Sequence, residues 1–207
     1  MRSVPLALRD GMIRALVRGF RRNADGIAAV EFAMIAPIMF FLFVGSVEFS
    51  QAITIDRRVT QVASSTADLI AREKSTNPAN VAGIMQIIDQ LMRPYDPARL
   101  KVTVLNVVAD VNDAAVTKVC WSYNHNGGAN PQADGASYTL PAGLVEPGNS
   151  VIVAEVTYSL ERSSSSTDNF QPLLFSYFID TTFPLQETFF LKPRLSSYVE
   201  YDGKKCT

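Results

Sequence analysis

The sequence predicts an α+β fold, in which a long N-terminal transmembrane helix continues into an exported domain with a second helix and an antiparallel sheet of about four strands. Three observations predict it. Residues 27–47 are almost entirely apolar, apolar residues recur every three or four positions in residues 48–92, and they alternate with polar residues in short runs after residue 93. These patterns are typical of a membrane span, of helices and of strands, respectively.

Residues 27–47 form the predicted membrane span. As a helix they would be about 31 Å long, close to the roughly 30 Å hydrocarbon thickness of a bilayer. Glu31 is the only charged residue in the span. Because a carboxylate at the bilayer centre costs about 3 kcal/mol, Glu31 needs a partner or an aqueous neighbour. Pro37 removes one backbone hydrogen bond inside the span, which predicts a helix kink.

The charge distribution predicts the orientation of the span. Six arginines precede Gly26, whereas Arg57 and Arg58 are the basic residues that soon follow the span. By the positive-inside rule, the N-terminus lies in the cytoplasm and the chain from about Glu48 onward is exported. The leader could be a basic amphipathic helix on anionic lipid or a solvated tail that only fixes topology. The predicted regions are a cytoplasmic leader (1–26), a transmembrane helix (27–47), an exported helical region (48–92) and a sheet-rich exported domain (93–207).

Periodicity and breaker residues place the exported elements. The first helix is expected to run from about Ala28 to Glu73, and Asn77-Pro78 is a typical N-cap and first helical position. The remaining elements are a second helix to Met92, strands at Leu100–Val107, Ala115–Tyr123, Val151–Leu160, Glu187–Leu191 and Arg194–Tyr201, a short strand at Tyr138–Leu140, a polar loop at Ser163–Ser166 and a short helix from Leu173.

Gly26, four small or apolar residues, and then Glu31-Phe32 before an unbroken apolar run resemble a class III prepilin processing site. The wider string GIAAVEFAMIAPIMFFLFVGSVEFSQA is similar to the N-terminal domain of TadE and TadG proteins of the tight-adherence (Flp, type IVc) pilus system. The residues that carry the resemblance are Gly26, Glu31, Phe32, Pro37, Gly45, Glu48 and Phe49.

The resemblance implies a pilin-like fold and an inner-membrane location. It implies that a prepilin peptidase cuts between Gly26 and Ile27, and that Glu31 pairs with the new amine of a neighbouring subunit, with Phe32 beside it. The implied partners are other pilin or pseudopilin subunits and the pilus assembly platform. If the chain is not cut, Glu31 could instead reach toward the headgroups, because the apolar run before it is short.

No catalytic, phosphate-binding or dinucleotide-binding motif is found in the sequence, so we expect no enzymatic activity, no cofactor and no metal. The single histidine, His125, is interpreted as a solvated loop residue. The exported part is net acidic, which argues against nucleic-acid binding. In an oxidising compartment, Cys120 and Cys206 would form a disulfide, with two free thiols as the alternative.

The function expected from the sequence is that of a TadE-like minor pilin or pseudopilin in pilus assembly. It would act by helix association in the inner membrane and by partner binding in the periplasm or at the tip of a pilus. The alternative is a permanently anchored envelope protein whose exported domain binds a ligand or surface partner without pilus involvement.

Overall fold

The computed structural model describes residues 26–128, 132–160 and 183–206. The leader before Gly26, the predicted loop at Ser163–Ser166 and the predicted helix from Leu173 lie outside the described residues. The chain divides into two compact units, Met1–Val47 and Glu48–Thr207.

The first helix, α1, extends over Ile27–Ala71, against the predicted Ala28–Glu73. Pro37 lies inside it, where a proline is tolerated in membrane helices because neighbouring groups satisfy the freed carbonyl. Among the described residues, α1 is the one helix with a stretch long and apolar enough to cross a membrane, and no part of that stretch is buried in the protein. The part of α1 up to Val47, the anchor segment, is therefore a candidate membrane anchor.

The second helix, α2, extends over Pro78–Leu91 and begins as the sequence predicts. The Asn77 side-chain oxygen accepts a hydrogen bond from the Asn80 backbone N–H at 2.8 Å, and Pro78 fills a position where no N–H is needed. A single turn of 3₁₀-helix at Pro97–Arg99 then leads into the sheet.

The predicted antiparallel sheet is confirmed. Its strands are β2 (Leu100–Ala109), β3 (Thr117–His125), β4 (Ser150–Leu160) and β5 (Phe183–Leu191). Their order is β3-β2-β4-β5, with every neighbouring pair antiparallel. A separate short pairing joins β1 (Ser75–Thr76) to β6 (Glu200–Tyr201) in parallel. The α+β fold class is therefore that predicted.

Residues on the two sheet faces enter different hydrophobic clusters because side chains alternate along a strand. One face packs on α1 and α2, and buries residues such as Val104 and Ala154 with Val59 and Met85. The opposite face packs on the segment after β3, where Leu105, Val151 and Val153 meet Val145. The helix-side cluster fixes α1 after Val47 and α2 against the sheet.

Two predicted strands are wrong. Between Arg194 and Tyr201 only Glu200–Tyr201 is extended, because backbone groups of this segment bond elsewhere: the Arg194 N–H donates to the Ala71 carbonyl at 2.9 Å, and the Ser197 carbonyl accepts from Ser150 at 2.8 Å. At Tyr138–Leu140 there is no strand. A single β-bridge forms beside it, between Ser137 and Lys118, and the Tyr138 N–H donates to the Thr117 carbonyl at 3.2 Å.

Candidate functional site

The residues of the predicted processing site lie at the start of α1. Gly26 immediately precedes the helix, Ile27 is its first residue, and Glu31 follows one turn later, so Ile27 and Glu31 share a helix face. Glu31 and Phe32 are exposed. A Cβ atom added to Gly26 would meet nothing within 4 Å. Packing of the described chain therefore does not require glycine at this position.

The anchor segment exposes an apolar surface that no described residue covers. Phe32 is 71% exposed and Met34 is 72% exposed. Contiguous apolar area of this kind is unstable in water and marks contact with lipid or with other apolar helices. The other large exposed side chains of the segment are Ile27, Val30, Ile35, Ile38, Met39, Phe40, Phe41, Leu42, Phe43 and Val47.

The two cysteines form a disulfide that ties the C-terminal tail to β3. A β-bulge places Cys120 between Val119, which pairs with Val107, and Trp121, which pairs with Asn106. Because a bulge gives one strand an extra residue, Cys120 and Trp121 both enter the helix-side cluster. Cys120 is 8% exposed and Cys206 is 4% exposed, which suits a structural rather than a reactive cysteine pair.

Hydrogen bonds and ring stacking also hold the tail. The Trp121 indole N–H donates to the Val199 carbonyl at 2.8 Å, and the Trp121 ring stacks on Tyr201 with 4.8 Å between centroids. Burial raises the pKa of Tyr201, with Tyr123 and Asp202 adding to the effect.

His125 is not the solvated loop residue that the sequence predicts. It is the last residue of β3, its side chain is 18% exposed, and its Nε2 lies 3.0 Å from Asp89 Oδ1 on α2. The prediction failed because Asp89 lies 36 residues away along the chain, beyond any local spacing rule. The pair joins α2 to the edge of the sheet.

Tyr138 and Glu155 form a second polar pair, on the sheet face opposite the helices. The Tyr138 hydroxyl donates to Glu155 Oε1 at 2.7 Å. Burial, then the hydrogen bond and the charge of Glu155, raises the pKa of Tyr138 above its ordinary value. The hydrogen bond from the neutral Tyr138 hydroxyl to the Glu155 carboxylate therefore holds the loop after β3 against the sheet.

An open groove of about 340 Å³ lies between α1 and β5. It is lined by Ser64, Ser65, Asp68, Phe189, Leu191 and Arg194. Asp68 forms ion pairs with Arg72, the residue after the end of α1, and with Arg194 beyond β5. Sequence reasoning missed this groove because Asp68 and Arg194 are 126 residues apart. No described group of three or more His, Cys, Asp or Glu side chains could hold a metal ion.

These features define a class of protein with one candidate membrane anchor followed by an α+β domain. Within that class, the model of the TadE-like protein family matches residues 26–68. The match confirms the resemblance to TadE-like proteins over that segment, and it supports a role associated with the tight-adherence pilus and a membrane association. Comparison with curated proteins gives no match, and comparison with solved structures gives none either.

Proposed function

We propose that this chain is a minor pilin or pseudopilin that takes part in assembly of a tight-adherence pilus. It is anchored in the inner membrane with residues 1–26 in the cytoplasm and the domain after Val47 in the periplasm. A prepilin peptidase removes the leader after Gly26. The mature helix then associates with other pilin or pseudopilin helices, and the exported domain contacts the assembly platform or further subunits.

The observation that carries the proposal is one acid on an otherwise apolar, exposed helix within the family-matched segment. The family match begins at Gly26. Glu31 is exposed, as are the apolar residues Ile27 and Phe32 near it on the helix. In lipid, an unpaired carboxylate costs about 3 kcal/mol at the bilayer centre and less near an end of the span. A new Ile27 amine lies at the positive end of the helix dipole, which is unfavourable for a cation. Pairing of the amine and the carboxylate between adjacent subunits offsets both costs and fixes their axial register.

Substitution of Glu31 tests this function. Glu31→Ala should leave membrane insertion intact, because it removes a charge from the span, and should lower pilus output in the native host about tenfold. A loss of only about 1.4 kcal/mol of pairing free energy changes an association constant tenfold. Met34→Leu is the control, since Met34 is also exposed on the same helix and leucine keeps the position apolar. The measurements are membrane fractionation, pilus yield and the mass of the extracted chain.

The outcomes separate the proposal from its alternative. Normal pilus yield with Glu31→Ala would contradict the register role, and a mature first residue other than Ile27 would contradict processing after Gly26. An intact leader together with no co-purifying pilin or pilus motor component would favour a permanently anchored envelope protein that binds a ligand or surface partner.

A further inference from the structure

The two edges of the sheet differ in how their backbone groups are satisfied. At the β3 edge, the Val119 N–H donates to Ala136 at 2.9 Å, and the Val119 carbonyl accepts from Gly135 at 2.8 Å. At the other edge, β5 pairs with β4 and with no further strand of the described chain. An edge strand with unpaired N–H and C=O groups is a template for pairing with another chain.

The sequence of β5 does little to prevent such pairing. The strand, FPLQETFFL, is nine residues long and contains a single charge, Glu187. Of the features that protect an edge, β5 has Pro184 and the charge of Glu187, whose Oε1 accepts a hydrogen bond from Thr60 on α1 at 3.3 Å. It has no lysine, and its pairing with β4 has no register shift. Pro184 lies at its start, where it leaves most of the strand free to pair.

The groove described above runs beside this edge. Phe189, 36% exposed, and Leu191 form its apolar wall, and Ser64 and Ser65 of α1 face them across it. Because alternate side chains of a strand point to the same face, a strand added to β5 would direct every second side chain into the groove. The groove therefore adds side-chain selectivity to backbone pairing.

The charges at the end of the groove favour an acidic partner. Arg72 is 59% exposed and Arg194 is 54% exposed, and both share the single carboxylate of Asp68. The cluster therefore has one positive charge in excess. Arginine binds carboxylates through paired hydrogen bonds, so a carboxylate on the incoming segment would complete the cluster.

We propose that the edge of β5 binds an extended segment of a partner protein by β-strand addition. The segment places an apolar side chain between Phe189 and Ser65, and an Asp, a Glu or a terminal carboxylate beside Arg194 and Arg72. This surface lies in the unit after Val47, and binding there does not depend on Glu31 or on cleavage after Gly26.

Peptide selection on the full-length protein in detergent micelles tests the proposal. Random nine-residue peptides, the length of β5, are selected by display, and fluorescent copies are measured by anisotropy. Enriched peptides should have apolar residues at alternate positions and an acidic residue near one end.

Substitutions in the protein test the groove. Binding of the peptides should weaken about threefold with Arg194→Gln, the range for an exposed ion pair, and about tenfold with Phe189→Ala. Arg57→Gln and Val111→Ala, both at exposed positions outside the groove, should bind as wild type.

Changes in the peptide keep the test independent of the folding of the variants. Replacing the acid by lysine should weaken binding to the unaltered protein about threefold or more. N-methylation of alternate backbone amides on the edge that faces β5 should abolish binding, whereas methylation on the opposite edge should not. Equal binding of both methylated peptides, failure of selection, or equal effects of the groove and control substitutions would overturn the proposal. Because pilus yield is not a readout, these results are distinguishable from failure of the Glu31 experiment.

Discussion

Asn106 of β2 is a buried amide where the tail meets the sheet. It is 0% exposed, and its Nδ2 donates to the Val199 carbonyl at 3.0 Å and lies 3.4 Å from Cys206 Sγ. Its Oδ1 has no hydrogen-bond partner in the described chain. The Val199 carbonyl also accepts from Trp121, so one backbone oxygen joins two side chains of the sheet to the tail. A negative charge placed at this buried position is therefore expected to lower the free energy of unfolding.

Asn106→Asp should destabilise the protein in a manner that depends on pH. Burial raises the pKa of the new carboxyl above its unfolded value of about 3.9. Well below the unfolded pKa of about 3.9, the carboxyl is neutral in both states. As the pH rises, the unfolded state ionises first, so the loss of unfolding free energy grows and reaches about 3 kcal/mol or more near pH 8.

Denaturant unfolding at about pH 5 and about pH 8, both above the unfolded-state pKa of about 3.9, measures this effect as a larger loss at the higher pH. Asn80→Asp is the control, because Asn80 is exposed in the first turn of α2 and a negative charge there is favourable. An equal loss of stability at both pH values would show that charge burial is not the cause.

At the scale of elements, Arg58 of α1 holds the C-terminal end of α2. Its Nη1 donates to the Leu91 carbonyl at 3.1 Å and to the Arg93 carbonyl at 2.7 Å. Its guanidinium carbon lies 5.6 Å from the centre of the Tyr95 ring. The last carbonyls of a helix have no partner within the helix, and a cation there is also favoured by the helix dipole. One side chain of α1 thus satisfies the end of the next helix.

Arg58→Met should lower the free energy of unfolding by about 1.5–3 kcal/mol, the range for hydrogen bonds to a charged group. Methionine keeps the apolar stem of the arginine, so packing is largely preserved. Hydrogen exchange should first accelerate at the last turn of α2. Arg57→Met, at the exposed neighbouring position, should change stability by about 0.5 kcal/mol or less. Similar losses for both variants would contradict the capping role.

The elements that the sequence predicts well are those with local signals. Asn77-Pro78 determines the start of α2 through a side-chain bond within three residues, and the alternation in Val151–Leu160 places β4 within one residue of its observed start. Residues 194–201 are also predicted as a strand, yet backbone groups of this segment bond to Ala71, Ser150 and Trp121. Long-range partners of this kind have no signature in local sequence.

The candidate sites divide in the same way. Glu31 can be identified as a candidate site from sequence alone, because a single charge in a long apolar run is energetically costly in a membrane. The His125–Asp89 pair and the Asp68–Arg194 pair join positions 36 and 126 residues apart. Their residues are ordinary charged or polar ones in sequence, and the fold alone brings them together.

At the scale of the whole molecule, the Cys120–Cys206 disulfide closes a loop of 86 residues that contains β4 and β5. Cross-linking a loop of this length lowers the entropy of the unfolded chain by an amount worth about 4 to 5 kcal/mol. That is comparable to the net stability of many domains. The bond also forms only where the compartment is oxidising, so it links the stability of the domain to the proposed export.

Cys206→Ala should therefore lower the free energy of unfolding by up to about 4 to 5 kcal/mol, and Cys120→Ala by a similar amount, because either change removes the same cross-link. The double variant should lose little more than either single variant, since coupled residues are not additive. Denaturant unfolding measures the three variants, and a thiol assay on denatured protein from the native host measures the bond. Additive losses, or two reactive thiols in the native protein, would contradict the cross-link. Protein whose export is blocked should have both thiols free and should unfold at the lower denaturant concentration of the alanine variants.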